Sequence, residues 1–443
     1  MEQLKKEQKV KLSDKPFYKW IIIGLCFLMV MICLGFCSSP YSWYINKIVP
    51  YLGVDESAYS IGKSIRFITT AIVNLFFGFL VAKFGTKKLI LAGITSLALS
   101  MLCHAFATNL VLIYVGGFLL GLGLAWTTTT IVGFVVNQWC RENKGTIMGA
   151  ILASNGIGAT IATEILRPII QRSATSFKES YIIVAITLGV IALLFLFLYK
   201  DKKSNAEDLP KKGEKKKAKR GQSWEGIDYK EVVRKPYFYL SLVCIFLTGM
   251  VLQSITGIAT PHLENAGLSD DYVSLTIVVH SITLVIFKFL TGFMYDKFGL
   301  RITTAICMVT SVLIMVALAL VDNTTTGMVL AMFYSAFASL ALPLETIMLP
   351  IYANDLFGEK AYNKTLGLIV SVNTAGYALG APLASLCRDI TGTYNFSLWL
   401  GAGLMVGIIV LVQFVINASN KERKKVLAKL KEQELEQSVA VSE

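Results

Sequence analysis

A chain of 443 residues with 54% hydrophobic and only 16% charged side chains, and a mean hydropathy of +0.61, carries more apolar surface than a soluble core can cover. Its formal net charge of +13 is dispersed over tails and alternate loops with no nucleic-acid-binding module, which excludes nucleic acid as a partner and leaves attraction to membrane lipid. Apolar runs of roughly 20 residues, each enough to cross about 30 Å of hydrocarbon, recur along the chain, and lipid obliges the backbone to bond to itself, so the class is an all-α polytopic membrane protein.

Residues 1–19 are too polar for a signal peptide and read as a cytoplasmic tail, the first span serving as the uncleaved targeting signal. About twelve spans follow, near 20–40, 58–82, 88–107, 110–136, 146–170 and 180–199, then 237–260, 272–295, 302–321, 327–352, 363–387 and 394–417. They divide into a six-helix bundle over 20–199 and a second over 236–418, joined by a basic linker over 200–235 and followed by a tail over 419–443. The lysine-rich 211–220 run lacks the apolar residues to fold alone, and Trp224 to Lys235 is expected to form a short interfacial helix. An even number of spans puts both termini on one side. The basic residues of the tails and of the loops at Lys83, Lys87, Lys88, Arg141, Lys144, Lys297, Arg301, Lys360 and Lys364 make that side the cytoplasm, in a multi-pass plasma-membrane protein. Trp43, Tyr41 and Tyr44 read as anchors at the outer interface. Gly117 with Gly121, Gly156 with Gly158 and Gly376 with Gly380 read as places where helices approach closely. Eight cysteines lie in or beside apolar runs without CxxC or Cys/His spacing, so neither metal nor disulfides are expected.

The two bundles share a motif. Gly78, Phe79, Ala82, Lys83, Phe84, Gly85 and Lys87 end the second span; Gly292, Phe293, Asp296, Lys297, Phe298, Gly299 and Arg301 end the eighth, 214 positions later with identical spacing. A long-range repeat at matching points of two hydrophobic halves indicates a duplicated bundle.

This repeated loop resembles the signature of the major facilitator superfamily, which implies two pseudo-symmetric six-helix bundles with these loops as gating elements. Asn137-Gln138-Trp139-Cys140-Arg141-Glu142-Asn143-Lys144-Gly145 followed by Gly149, then Leu356-Phe357-Gly358 and Gly380-Ala381-Pro382, are similar to the branch of oxalate–formate antiporters and monocarboxylate porters. In those relatives a basic residue in span eight, four positions before the loop's first glycine, contacts the substrate carboxylate; the matching residue is Lys288. The oxalate-type members resemble one another in a lysine seven positions before a glycine of span eleven, where this chain has Asn373 before Gly380. One cation fewer argues against a dianion. Ala82, in place of the motif acid, weakens the latch in the first copy.

Lys288 lies eight residues from Asp296, so about 12 Å inside the cytoplasmic boundary. An unpaired ammonium there costs on the order of 2.5–3.5 kcal/mol, so it needs a partner, a watery cavity or a substrate; snorkelling and a static pair are the alternatives. Ser281 shares its helix face and can reach the same ligand, whereas His280 points about 80° away. Glu345, ten residues before Asp355, is about 15 Å deep and is a candidate counter-charge for coupling. Glu164 with Arg167, and Lys63 with Arg66, are three-residue pairs near the outer ends of spans five and two and form a candidate outer charge cluster. Thr127 to Thr130 and Asn155 are polar groups without an assigned role.

These readings predict a monomeric secondary transporter of a small organic anion, a monocarboxylate, coupled to protons or to exchange. The competing readings are a carrier of a larger or neutral compound with Lys288 structural, and a non-transporting membrane sensor. No nucleophile–base constellation or GxxxxGK[ST] loop occurs, so neither an enzyme, a cofactor nor direct ATP drive is expected.

Overall fold

The structure, a computed structural model, describes residues 17–38, 41–140, 142–201, 224 and 226–440. The basic 1–16 stretch, Arg141, the 202–223 run of the linker and the side chains of Tyr41 and Trp43 lie outside the described residues.

Every apolar run forms helix, as a backbone without water must. The first half comprises α1 (Tyr18–Val30), continued by a π-helical turn over Met31–Phe36, α2 (Tyr41–Leu52), α3 (Glu56–Leu75), α4 (Phe77–Phe84), α5 (Thr86–Ala105), α6 (Leu110–Ala125), α7 (Thr129–Trp139), α8 (Lys144–Gln171) and α9 (Phe177–Leu198). After α10 (Tyr229–Val232) the second half comprises α11 (Pro236–Asn265), α12 (Asp270–Phe298), α13 (Leu300–Ala319), α14 (Thr325–Ala341), α15 (Met348–Phe357), α16 (Tyr362–Thr391) and α17 (Asn395–Ala440). Eleven stretches among the described residues are long and apolar enough to span, and the pair α3–α4, bent by 64°, makes the twelfth. Large apolar side chains stand outward, including Phe197 (74% exposed), Val410 (65%) and Ile390 (76%). In water such a surface would drive aggregation; facing lipid it needs no cover.

The structure adds three features to the spans read from sequence. Span two bends at Phe76. Span ten breaks into a 3-10 turn at Leu342–Glu345, where Pro343 cannot donate a backbone hydrogen bond. Span twelve runs without interruption into the C-terminal tail as one 46-residue helix. The described end of the linker contains only the single turn α10, and it docks onto the second half: Trp224 Nε1 donates to the Asp355 carbonyl at 3.1 Å, and Lys235 pairs with Glu422 at 2.8 Å.

Close approach follows the glycines. A side chain on Gly376 or Gly380 would collide with the α11 backbone, at Phe246 and Met250. Tyr44 departs from its expected interfacial place. It is buried, stacked on Tyr181 with centroids 3.9 Å apart, and accepts a hydrogen bond from Ser180 at 3.1 Å, because α2 folds back over the first bundle.

Candidate functional site

The repeated motif builds the same local structure twice. Gly85 (φ +79°) and Gly299 (φ +81°) each cap the next helix in backbone conformations that side chains resist, which turns the chain sharply out of one span into the next. Lys83 lies over Phe79 and Phe84, and Lys297 over Phe293 and Phe298, within 5.4–5.9 Å of the ring centroids. Lys87 is held by Asp201 and the Leu196 carbonyl near the end of span six, and Arg301 by Gln413 of span twelve at 3.0 Å.

These motifs close the two halves on each other at their shared basic face. Gly78 faces the Asn363 backbone at the start of α16, where a Cβ would stand 2.9 Å from its carbonyl oxygen. Gly292 faces Gly145 at the start of α8 with still less room. Asp296 completes the second contact. Asn143, in the left-handed region (φ 52°), sets the start of α8 so that Gly145 N–H and Thr146 N–H donate to the carboxylate at 3.0 and 2.7 Å, joined by the Thr146 hydroxyl at 2.6 Å. An anion accepting from the first N–H groups of a helix is favoured by the helix dipole as well as by the hydrogen bonds. The first copy has Ala82 at the matching place, so this charge latch exists once. Replacing Gly292 by Val is expected to wedge the contact apart. Spin labels on the exposed Lys88 and Lys424 would then report a longer separation than in wild type, with the melting temperature little changed.

Above this contact Lys288 crosses from one half to the other. It is buried on α12, only 4% exposed, and its ammonium donates to Asn155 Oδ1 of α8 at 2.8 Å, with the Leu152 carbonyl at 3.5 Å. The group therefore stands between the halves and not against lipid headgroups. Three N–H donors with one short hydrogen bond leave capacity for another acceptor. Glu345, on the break in span ten, is near enough for its charge to act on Lys288 but makes no hydrogen bond to it, and its shielded Oε1 has no donor among the described residues. Tyr377 of α16 feels both Glu345 and Arg66, and its ring lies 5.2 Å from Phe67 of α3, again across the halves. His280 is half-buried, bonded through Nδ1 to Ser339 at 3.2 Å.

Other candidates are placed elsewhere. Ser281 shares the Lys288 face but is exposed and donates to its own helix, at the Ile277 carbonyl, 2.9 Å away. Asn373 turns into the second bundle: its Nδ2 donates to the Ile245 carbonyl at 3.3 Å, and it lines an apolar pocket with Thr248, Leu344 and Tyr352 instead of meeting Lys288. Glu164 and Arg167 are exposed on the outward part of α8, whereas Arg66 is half-buried, stacked over Phe67 at 5.0 Å and close to Lys63. Thr127 and Thr128 bond to the preceding turn, but Thr130 donates to Asn74 Oδ1 at 2.8 Å.

Asn155 is the partner that sequence reasoning left without a role, and the repeat contained a signal for it. Gly292 meets Gly145 while Gly78 meets Asn363, so α8 and α16 correspond at an offset of 363 − 145 = 218. That offset sets Asn155 opposite Asn373, and the motif offset of 214 sets Lys288 opposite the neutral Asn74. The charge is thus carried by one half and received by the other.

Two helical halves of twelve spans in all, closed at one end around a buried cation, have the architecture of a membrane transporter. The chain belongs to the major facilitator superfamily, whose family description, "Major Facilitator Superfamily", matches residues 23–262 and 242–440. It is similar to the sialic acid transporter NanX of Escherichia coli (22% identical, over 86% of this chain and 89% of that one). It is likewise similar to monocarboxylate transporter 2 of Homo sapiens (21%, over 94% and 90%). A crystal structure of the E. coli fucose:proton symporter FucP superposes with a TM-score of 0.67 over 90% of this chain and 99% of that one; at 16% identity this likeness shows the fold.

Proposed function

We propose that the chain moves a small organic anion with one carboxylate by alternating access, from the plasma membrane with both termini cytoplasmic. One observation carries the reading: a buried ammonium reaches from α12 of one half to Asn155 of the other. A carboxylate entering between the halves exchanges water for that charge, and its binding competes with the bond that joins them. Relatives named for sialic acid and for monocarboxylates agree in chemistry, since each name denotes a molecule with one carboxylate. With the basic face closed by Asp296 and Gly292, the access path is from the opposite, outer side.

Glu345 supplies the coupling. With the site empty its charge balances Lys288; with an anion present it takes a proton, or the substrate leaves in exchange for another anion. Glu345→Gln is expected to abolish the dependence of uptake on a pH gradient while carboxylate exchange survives within about tenfold. An unaltered pH response would remove Glu345 from the mechanism.

The Asn155 bond also favours a second reading, in which Lys288 is a strut and the cargo is larger or neutral. Uptake into proteoliposomes of a panel of two- to four-carbon carboxylates, with their amides as competitors, separates the two. The anion reading requires the amides to compete poorly; equal competition would support the strut.

A further inference from the structure

The described end of the linker lies as a strap across the inner end of span ten. Trp224 is buried there, 5% exposed: its Nε1 donates to the Asp355 carbonyl at 3.1 Å, and its own carbonyl accepts from the Glu359 N–H at 3.0 Å. Two glycines in the left-handed region clasp beside it. A Cβ on Gly226 (φ +82°) would stand 2.5 Å from the Phe357 carbonyl oxygen, and one on Gly358 (φ +79°) would strike the Gly226 backbone. Ile227 and Val232 are buried, and the strap ends where Lys235 pairs with Glu422 of α17.

Two short paths lead from this strap to the contacts that close the basic face. Asp355, whose carbonyl holds Trp224, accepts the Tyr295 hydroxyl on its carboxylate at 2.9 Å, and Tyr295 is the residue before Asp296. A Cβ on Gly145 would stand 2.5 Å from the Tyr295 ring, so that ring packs against the start of α8 in the other half. On the second path Tyr229 of α10 lies beneath the Lys364 ammonium, 5.3 Å from it. The Lys364 Cα faces Gly78, where a Cβ would come within 3.1 Å of it. The strap therefore reaches the second-half member of each contact, α12 through Asp355 and α16 through Lys364.

We propose that the docked strap is a brace for the closed basic face. It holds α12 and α16 at the spacing at which they meet α8 and α4, so lifting Trp224 off span ten shifts the carrier toward the state open at that face. Both contacts are backbone approaches at glycines, and close packing of that kind is lost with small displacements. The brace concerns which face is open and uses neither Lys288 nor the cargo, so it stands or falls apart from the anion reading.

Distances between spin labels on the full-length protein test this. The labels replace the exposed Lys88 and Ile302, which the 214-residue repeat places at matching points of α5 and α13, away from the strap. Trp224→Ala is expected to raise the open-to-closed ratio at least about fivefold. Trp224→Phe keeps a ring and loses the donor, and is expected to raise it at least about twofold. Tyr295→Phe cuts the same path further along and should shift the ratio in the same sense. The Trp224→Phe, Tyr295→Phe double variant should then give less than the product of the two single effects. Melting curves of the same preparations distinguish a brace from simple packing. A lowered melting temperature with unchanged Lys88–Ile302 distances would make Trp224 a packing residue of the second half and overturn the brace. Single effects that multiply in the double variant would overturn the path through Asp355.

Discussion

Lys288→Met is expected to lower the uptake efficiency for the carboxylate substrate at least about 30-fold, and Lys288→Arg to retain it within about tenfold. Removing one member of a buried charge pair costs roughly 2–5 kcal/mol, because the partner charge is left without compensation, and each 1.4 kcal/mol is about tenfold. Methionine keeps most of the stem volume, so the loss reads charge and not packing. The unliganded protein responds in a second way. Without its ammonium donor Asn155 Oδ1 loses a 2.8 Å bond across the halves, and Glu345 loses the nearby positive charge. A strut role therefore predicts a large fall in melting temperature with uptake reduced in proportion. The anion role predicts that uptake collapses while the fold survives. Initial rates in proteoliposomes, paired with melting curves of the same preparations, separate the two.

Asp296→Asn is expected to open the basic face. The carboxylate accepts three hydrogen bonds from Gly145 and Thr146 across the halves, two of them from the first N–H groups of α8. An amide can accept at one atom and carries no charge for the helix dipole to stabilise. Loss of about 2 kcal/mol, in line with hydrogen bonds to a charged group, shifts the closed-to-open ratio roughly 30-fold. Lys88 and Lys424 labels should then show a substantial long-distance population absent from wild type. The reverse substitution, Ala82→Asp, supplies the acid missing from the first copy and is the natural companion measurement. An unchanged distance distribution in Asp296→Asn would mean that Gly292 and Gly78 hold the face closed by shape alone.

The spans and the duplicated motif were legible because both are local signals. A run of about 20 apolar residues has no other stable solution in lipid, and Gly85 and Gly299 announce their turns by being glycine. The depth of Lys288 could be counted from Asp296 along a regular helix. Azimuth could not. Asn373 has the depth of a ligand, yet it faces α11, since the direction of a side chain in a bundle depends on how helices rotate against neighbours. Phe67 and Tyr377 meet only because α3 and α16 lie together across the halves. Tyr44 looked interfacial because the folding back of α2 leaves no trace in composition. At Glu345 the regular count itself fails, because a 3-10 turn rises more per residue and redirects the chain.

Thermal stability of the purified protein with two- to four-carbon monocarboxylates tests the central claim most directly, because a ligand that binds only the folded state raises its melting temperature with concentration. Wild type should be stabilised by at least one such carboxylate and not by its amide, and Lys288→Met should lose that response. Equal stabilisation of both proteins by the carboxylate would contradict the account.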